Sequence, residues 1–158
     1  MSTEPLYAGP GDRPRAPDPD RLAGWWRRVA ATLIDWLLLA VVGGVALALT
    51  TDGFGPLELL ILFVFVGPTL TTLYVPFLMM RRGPRNGQSL GKQLLAIRVV
   101  RGTERPVGLG SAFVREFLAK GLLGQIPFYS LVDFLFPLGD TNRQALHDKL
   151  ATTYVVRG

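Results

Sequence analysis

The sequence predicts an all-α membrane protein with two full transmembrane helices, a third apolar helical segment or re-entrant hairpin, and a small cytoplasmic β-like pairing. Two apolar blocks, residues 29–51 and 57–80, contain 23 and 24 residues. At about 1.5 Å per residue, each block crosses a hydrocarbon core of roughly 30 Å. Hydrophobic residues make up 49% of the chain and occur in blocks instead of at an amphipathic period.

The chain before the first block is predicted to be a tail. Residues 1–21 contain many prolines and glycines and few residues that could form a core, so we predict a disordered cytoplasmic tail. Residues 22–158 then form one membrane domain. The first apolar block is too long for the apolar region of a cleavable signal peptide, so we expect it to act as an uncleaved anchor.

One carboxylate lies inside the first predicted span. Asp35 is the only formal charge between residues 29 and 51, and an acid at this depth costs about 2.5–3.5 kcal/mol. Arg28 precedes it by seven residues and therefore lies on the same helical face. The spacing predicts an Arg28–Asp35 pair, which either moves a monovalent cation or a proton or fixes the packing of helices. For Arg28, anchoring at the membrane interface is the alternative.

The distribution of basic residues predicts the topology. The connection after the first block, residues 51–56, contains no lysine or arginine, whereas the segment after the second block is rich in them. We call the segment after the second block the second loop. By the positive-inside rule, the amino terminus and this loop are cytoplasmic in a multi-pass protein of the inner (plasma) membrane. Anionic lipid headgroups are the expected partner of this loop. Its basic residues are Arg81, Arg82, Arg85, Lys92, Arg98, Arg101 and Arg105.

The remaining chain alternates between extended and helical patterns. Residues 94–100 and 152–156 are rich in β-branched residues and predict two short extended segments. Between them, Gly124 and Pro127 interrupt the apolar stretch 113–138, which is either one kinked span or a hairpin that enters and returns. A hairpin puts the basic carboxyl terminus in the cytoplasm and lets the two extended segments pair, so we favour it.

Composition excludes several kinds of site. Cysteine is absent and His147 is the single histidine, which excludes disulfides, thiol catalysis and a multi-histidine metal site within one chain. Residues 87–92 depart from a phosphate-binding loop in spacing, and Gln93 replaces its hydroxyl residue. The basic residues flank apolar blocks without a nucleic-acid-binding signature. We therefore expect no enzymatic activity, no cofactor and no nucleic acid partner.

Several blocks of the sequence resemble the RDD family of bacterial membrane proteins, named for one arginine and two aspartates. The resemblance covers residues 24 to 157 and implies an integral membrane protein proposed to take part in transport, with some members looking like sodium–proton antiporters. It implies that Arg28 is the family arginine, Asp35 the first aspartate and Asp148 the second, with Asp133 as the alternative. The matching blocks are Gly24–Arg28 with Ala31 and Ile34-Asp35, Gly87–Lys92 before Ile97–Val100, Arg115, and Gln144–Ala151 before Thr153–Val156.

Two functions remain open at this point. The first is monovalent cation or proton transport through the intramembrane arginine–aspartate pair. The second is a non-transporting membrane scaffold or accessory subunit in which that pair is a structural ionic lock. His147 and Asp148 form either a cytoplasmic proton relay or a hydrogen-bonded corner. Two spans and a hairpin provide too few walls for an aqueous path, so we expect a homo-oligomer or a partner membrane protein.

Overall fold

A computed structural model of the chain describes residues 16–50, 55–102 and 105–158. Most of the predicted tail, residues 1–15, lies outside this part. Residues 16–21 are placed and include a 3-10 turn at Pro19–Arg21, where the Asp18 side chain accepts a hydrogen bond from the Asp20 amide at 3.0 Å. Leu22 then forms an antiparallel bridge with Val156. The chain is therefore joined to the carboxyl-terminal strand before its first long helix begins.

Two long apolar helices dominate the fold, as predicted. Helix α1 runs over Trp25–Thr50. Helix α2 runs over Pro56–Met79 and consists of Pro56–Ile61, a π-helical stretch Leu62–Val66, and Gly67–Met79. Only 17% of the most apolar part of each helix is buried. The core helix of a soluble protein would be mostly buried, so these exposed apolar surfaces are typical of helices that contact lipid.

A two-stranded sheet forms next to these helices. Helix α3, Leu90–Leu94, is followed by strand β1, Ile97–Arg101. Strand β2, Thr153–Arg157, pairs with β1 in antiparallel register, with Ile97 opposite Arg157 and Arg101 opposite Thr153. The predicted pairing of the two extended segments is thereby confirmed. The second loop and the carboxyl terminus consequently lie on the same side of the molecule.

The apolar stretch before β2 folds into two arms. The first arm, helix α4, consists of Leu109–Phe113, a π-helical Val114–Leu122 and Leu123–Gln125. The second arm, helix α5, covers Pro127–Leu135 and continues as a 3-10 turn over Phe136–Leu138. Ile126 separates them in an extended conformation, with Pro127 at the start of α5. A short helix α6, Leu146–Leu150, precedes β2.

Contacts with the long helices show the direction of the two arms. Arg115, in the first half of α4, approaches the sulfur of Met79 at the end of α2, with its Nη1 at 3.7 Å. Gly121, further along α4, packs against Thr72, two turns earlier in α2. Helix α5 returns the chain to the start of α1, where the Trp25 indole N–H donates to the Phe134 carbonyl at 2.8 Å. These contacts show that the chain reverses direction between the two arms, which together we call the hairpin.

Both faces of the sheet are covered. Successive side chains of a strand point to opposite faces, so each strand contributes residues to both. One face packs on the long helices and α4, and the other face packs on Leu22 at the approach to α1. Burial on both faces explains why the two strands are rich in valine and isoleucine. The first face contributes Ile97, Val99 and Val155, which cluster with Ala23, Ala31, Val75, Met79, Val107 and Ala112. The second contributes Val100, Tyr154 and Val156.

Two glycines, one in α3 and one in the turn before it, permit close approaches to neighbouring backbone. A Cβ atom on Gly91 would lie 2.1 Å from the carbonyl oxygen of Ala31 in α1, so this position has no room for a side chain. Gly87 has φ +74, and a Cβ there would lie 1.9 Å from the Val99 carbonyl oxygen. Glycine adopts positive φ without steric cost. Helix α3 can therefore pack against the backbone of α1, which puts Ser89 and Lys92 beside that helix.

We expect Gly91→Ala to lower the free energy of unfolding by about 1–3 kcal/mol, because the added methyl must push α3 away from the α1 backbone. Thermal unfolding of the purified protein in detergent measures the effect. Gly110→Ala is the matched control, since a Cβ there meets no described atom within 4 Å. Equal unfolding temperatures for the two variants would contradict the close packing of α3 on α1.

Candidate functional site

A buried carboxylate joins three helices. Asp148, in α6, is 0% exposed. Arg28 of α1 donates from Nη1 to its Oδ2 at 2.9 Å, and Arg115 of α4 donates from Nε to its Oδ1 at 2.8 Å. The backbone amide of Ala145 also donates to Oδ2, at 3.2 Å. One side chain of the carboxyl-terminal region therefore connects the first long helix to the hairpin.

The charges continue along α4. Arg115 also donates from Nη1 to Glu116 at 3.0 Å, and Lys120 donates to the other carboxylate oxygen of Glu116 at 2.9 Å. Burial alone would raise the pKa of Asp148, but attraction to the guanidinium groups of Arg115 and Arg28 holds that pKa well below its usual value. Positive and negative groups therefore alternate from α1 through α6 into α4. Such alternation offsets the desolvation of buried ions. We call Arg28, Asp148, Arg115, Glu116 and Lys120 the charge network.

His147 attaches the second arm of the hairpin to this network. Its ring Nδ1 lies 2.7 Å from Asp133 of α5, and its backbone amide donates to the same carboxylate at 2.8 Å. Its Nε2 lies 3.3 Å from Nη2 of Arg115. A guanidinium can only donate, so Nε2 accepts and the proton of the neutral ring is on Nδ1. Burial lowers the pKa of His147, which agrees with a neutral imidazole.

Asp35 belongs to a different cluster. It is 3% exposed and accepts hydrogen bonds from the Ser89 hydroxyl at 2.5 Å, the Gly91 amide at 2.8 Å and the Tyr74 hydroxyl at 3.3 Å. Helices α2 and α3 therefore enclose this carboxylate from two sides. None of these three donors carries a charge.

The predicted Arg28–Asp35 pair is wrong, because Arg28 binds Asp148 instead. Seven residues of helix separate Arg28 from Asp35 by about 10.5 Å along the axis, whereas the fold brings Asp148 within direct contact. Lying on one helical face was therefore not sufficient to bring the Arg28 guanidinium and the Asp35 carboxylate together. The pairing of Arg28 with the second predicted aspartate depends on residues 120 positions apart, which no local pattern indicates.

Lys92 is the basic residue that the structure places next to the Asp35 cluster. It is 7% exposed, and its ammonium donates to the Ser89 oxygen at 3.4 Å. Burial lowers the pKa of Lys92 to about 8, although the charges of Glu116 and Asp35 act in the opposite direction. The nearby cation therefore comes from α3 and not from α1.

The structure thus brings together four of the five predicted site residues and holds the fifth apart. Arg28, Asp148, His147 and Asp133 form one connected group, and Asp35 lies in its own cluster. The sequence contained a signal for some of the site residues that were not predicted. Glu116 and Lys120 are charges within the otherwise apolar α4, and their spacing of four residues favours a pair. In the described ranges, no group of three or more His, Cys, Asp or Glu side chains could hold a metal ion. The residues that were not assigned to the site are Tyr74, Ser89, Lys92, Arg115, Glu116 and Lys120. Ser89, Lys92 and Arg115 fall within the blocks that carry the family resemblance, but they were given no role there.

We expect Asp148→Asn to lower the free energy of unfolding by about 3–5 kcal/mol, because it leaves two buried arginines without their shared carboxylate. Chemical denaturation in detergent measures the loss. Lys149→Gln is the control, since that lysine is 43% exposed and pairs with Asp140 at the surface, where a pair contributes under about 1 kcal/mol. Similar losses in both variants would contradict a central role for Asp148.

Comparisons with known proteins identify the family to which the chain is similar. The RDD family model matches residues 22–152, which include all five predicted site residues. The proline-rich antigen homolog of Mycobacterium tuberculosis is 32% identical over 152 residues, covering 84% of this chain and 62% of the relative. The proline-rich antigen of Mycobacterium leprae is 35% identical over 85 residues, covering 53% of this chain and 32% of the relative.

The chain therefore spans less than two thirds of the length of these relatives. No solved structure matches it. The family match covers most of the chain and extends from the approach to α1 to the end of α6. It confirms the resemblance drawn from the sequence blocks, and this chain belongs to the RDD family.

Proposed function

We propose that this chain is a non-enzymatic scaffold or accessory subunit of a bacterial plasma membrane. The observation that carries this proposal is the position of Asp148, which is fully buried and bound by Arg28 of α1 and Arg115 of α4. Charges engaged in this way hold helices together. The charge network is the structural lock, and it joins α1, the first arm of the hairpin and α6 into one unit.

The proposed topology has the amino terminus, the second loop and the carboxyl terminus in the cytoplasm. The antiparallel pairing of β1 with β2 supports a common side for the loop and the carboxyl terminus. Glu58 lies at the other end of α2, in its first turn. Exposed basic side chains at the sheet and loop suit binding to anionic headgroups. They include Arg82, Arg85, Arg101 and Arg157.

Single-cysteine labelling tests this topology, because the native sequence contains no cysteine. We expect Arg85→Cys and Gly158→Cys to react with a membrane-impermeant maleimide only after cells are permeabilised. Glu58→Cys should react in intact cells. The reverse pattern would overturn the orientation, and labelling of Arg85→Cys and Gly158→Cys from opposite sides would contradict the sheet.

A second candidate function is exchange of a monovalent cation for a proton at Asp35. It is favoured by one observation: the three described hydrogen-bond donors to Asp35 are two hydroxyls and an amide. A carboxylate without a directly bound cation can exchange one. Within residues 16–50, 55–102 and 105–158, one copy offers two helices long enough to cross a membrane. Exchange therefore requires a homo-oligomer or a partner membrane protein to complete a path.

Flux measurements in proteoliposomes separate the two candidates. For a scaffold, we expect the parent protein to move sodium and protons no faster than empty liposomes do. Flux by the parent that Asp35→Asn abolishes, with its unfolding temperature preserved, would overturn the scaffold proposal in favour of exchange. Asp140→Asn is the matched control, because Asp140 is an aspartate outside both clusters, paired with the half-exposed Lys149.

A further inference from the structure

An open groove runs along one face of helix α5 and ends in the turn that follows this helix. Its volume is about 450 Å³, which is within the range of sites that bind small molecules. Asp133, the residue of α5 that binds His147, does not line it, so the groove is separate from the candidate functional site. The lining residues are Leu131, Val132, Leu135, Phe136, Gly139 and Asp140.

The wall of the groove along the helix is apolar. Leu131 and Val132 lie one helical turn before Leu135 and Phe136, so their side chains form a continuous strip on one face. Both leucines are exposed, and the strip is therefore accessible from outside the molecule. Such a surface suits a hydrocarbon chain.

A cation stands at the polar end of the groove. The ammonium of Lys149 lies 4.8 Å from the centre of the Phe136 ring and forms an ion pair with Asp140 at 2.5 Å. The lysine side chain is 43% exposed, and an ammonium has three N–H donors, so it can bind a further anion. The other carboxylate oxygen of Asp140 accepts from the amides of Asn142 and Gln144. This carboxylate is therefore compensated within its own turn.

The charges at this end favour a ligand with one negative charge. Arg143 is exposed and belongs to the same turn, because its amide donates to the Asp140 carbonyl at 2.9 Å. Lys149 and Arg143 are cations and Asp140 is an anion, which leaves one positive charge without a counterion among the three. The phosphodiester of a phospholipid without a headgroup amine provides that counterion.

The groove also has the direction of a lipid in a bilayer. Phe134 of α5 packs edge-on against Trp25 at the start of α1, with ring centroids 5.0 Å apart, and the adjacent Trp26 is exposed. Tryptophan prefers the level of the headgroups. Leu131 lies about one turn earlier in α5, toward the interior of the membrane, whereas Lys149 lies beyond this level. The apolar strip is therefore at acyl depth and the cation is at headgroup depth.

We propose that this groove binds one anionic phospholipid of the cytoplasmic leaflet, with an acyl chain on the apolar strip and the phosphate on Lys149 and Arg143. A free phosphate would leave the apolar strip uncovered, so the ligand is a lipid. The groove differs from the second loop, whose basic residues attract headgroups without an adjoining apolar wall. This inference rests on the proposed membrane placement, and it holds for a scaffold as well as for an exchanger.

Native mass spectrometry of the full chain, released from detergent micelles, tests this site. The probes are dioleoyl phosphatidylglycerol and dioleoyl phosphatidylcholine, which have the same acyl chains and differ in headgroup charge. We expect one phosphatidylglycerol per chain, bound about fivefold more tightly than phosphatidylcholine, because an exposed ion pair contributes up to about 1 kcal/mol. Glycerophosphoglycerol, which has the headgroup without the chains, should not displace the lipid.

Variants separate the two halves of the groove. Lys149→Gln should lower the affinity for phosphatidylglycerol about fivefold and leave that for phosphatidylcholine unchanged. Leu135→Trp should fill the groove and weaken the binding of both lipids. Arg85→Gln, at an exposed arginine of the second loop, and Leu37→Trp, at an exposed leucine of α1, are the matched controls. Both controls should bind lipid as the parent does.

Several outcomes would overturn the lipid site. Equal affinities of the unaltered chain for the two lipids would do so without depending on the folding of any variant. Weaker phosphatidylglycerol binding in Arg85→Gln, with none in Lys149→Gln, would assign the lipid to the second loop. A lipid-free dimer that Leu135→Trp disrupts would assign the groove to a second copy of the chain. The topology and the flux are measured by cysteine labelling and in proteoliposomes, so their failure is distinguishable from failure of this site.

Discussion

The fold depends on one buried carboxylate, Asp148, held between two arginines. Removing ions from water costs several kcal/mol for each ion, and only close partners with good geometry offset that cost. Arg28 and Arg115 provide these partners from α1 and α4. Neither arginine can move away without leaving a charge unpaired in a dry interior. The carboxyl-terminal region is therefore fixed to the first helix and to the hairpin at the same atoms.

Helix α1 is the common wall of two separate polar clusters. Near its start, Arg28 faces the charge network, and two turns later Asp35 faces α2 and α3. The two clusters differ in chemistry. The first is made of direct ion pairs, whereas the described hydrogen-bond donors to Asp35 are neutral, and Lys92 contacts the Ser89 hydroxyl that binds this carboxylate. The first cluster is thus suited to holding helices together, and the second has a group that can change its charge.

The two-stranded sheet lies at the end of the molecule where α1 begins and α2 ends. Its inner face packs on Ala31, Val75 and Met79, and its outer face packs on Leu22. The long helices meanwhile expose large apolar side chains along most of their length. A small, closely packed cap therefore stands on two helices whose remaining surfaces suit lipid. This division agrees with a scaffold whose polar cap binds a partner or headgroups.

The sequence by itself determined the elements: two helices of membrane length, a break in the third apolar stretch, two pairable strands, and the family to which the chain belongs. Length, hydropathy and the proline at position 127 are local properties, and they act through local physics. It did not determine which charges meet. Arg28 and Asp35 share a helical face, but Arg28 binds Asp148 and Asp35 binds Ser89. Only tertiary packing decided these partners. The two contacts join residues separated by 54 and by 120 positions in the sequence, so they depend on how α3, α4 and α6 pack against α1.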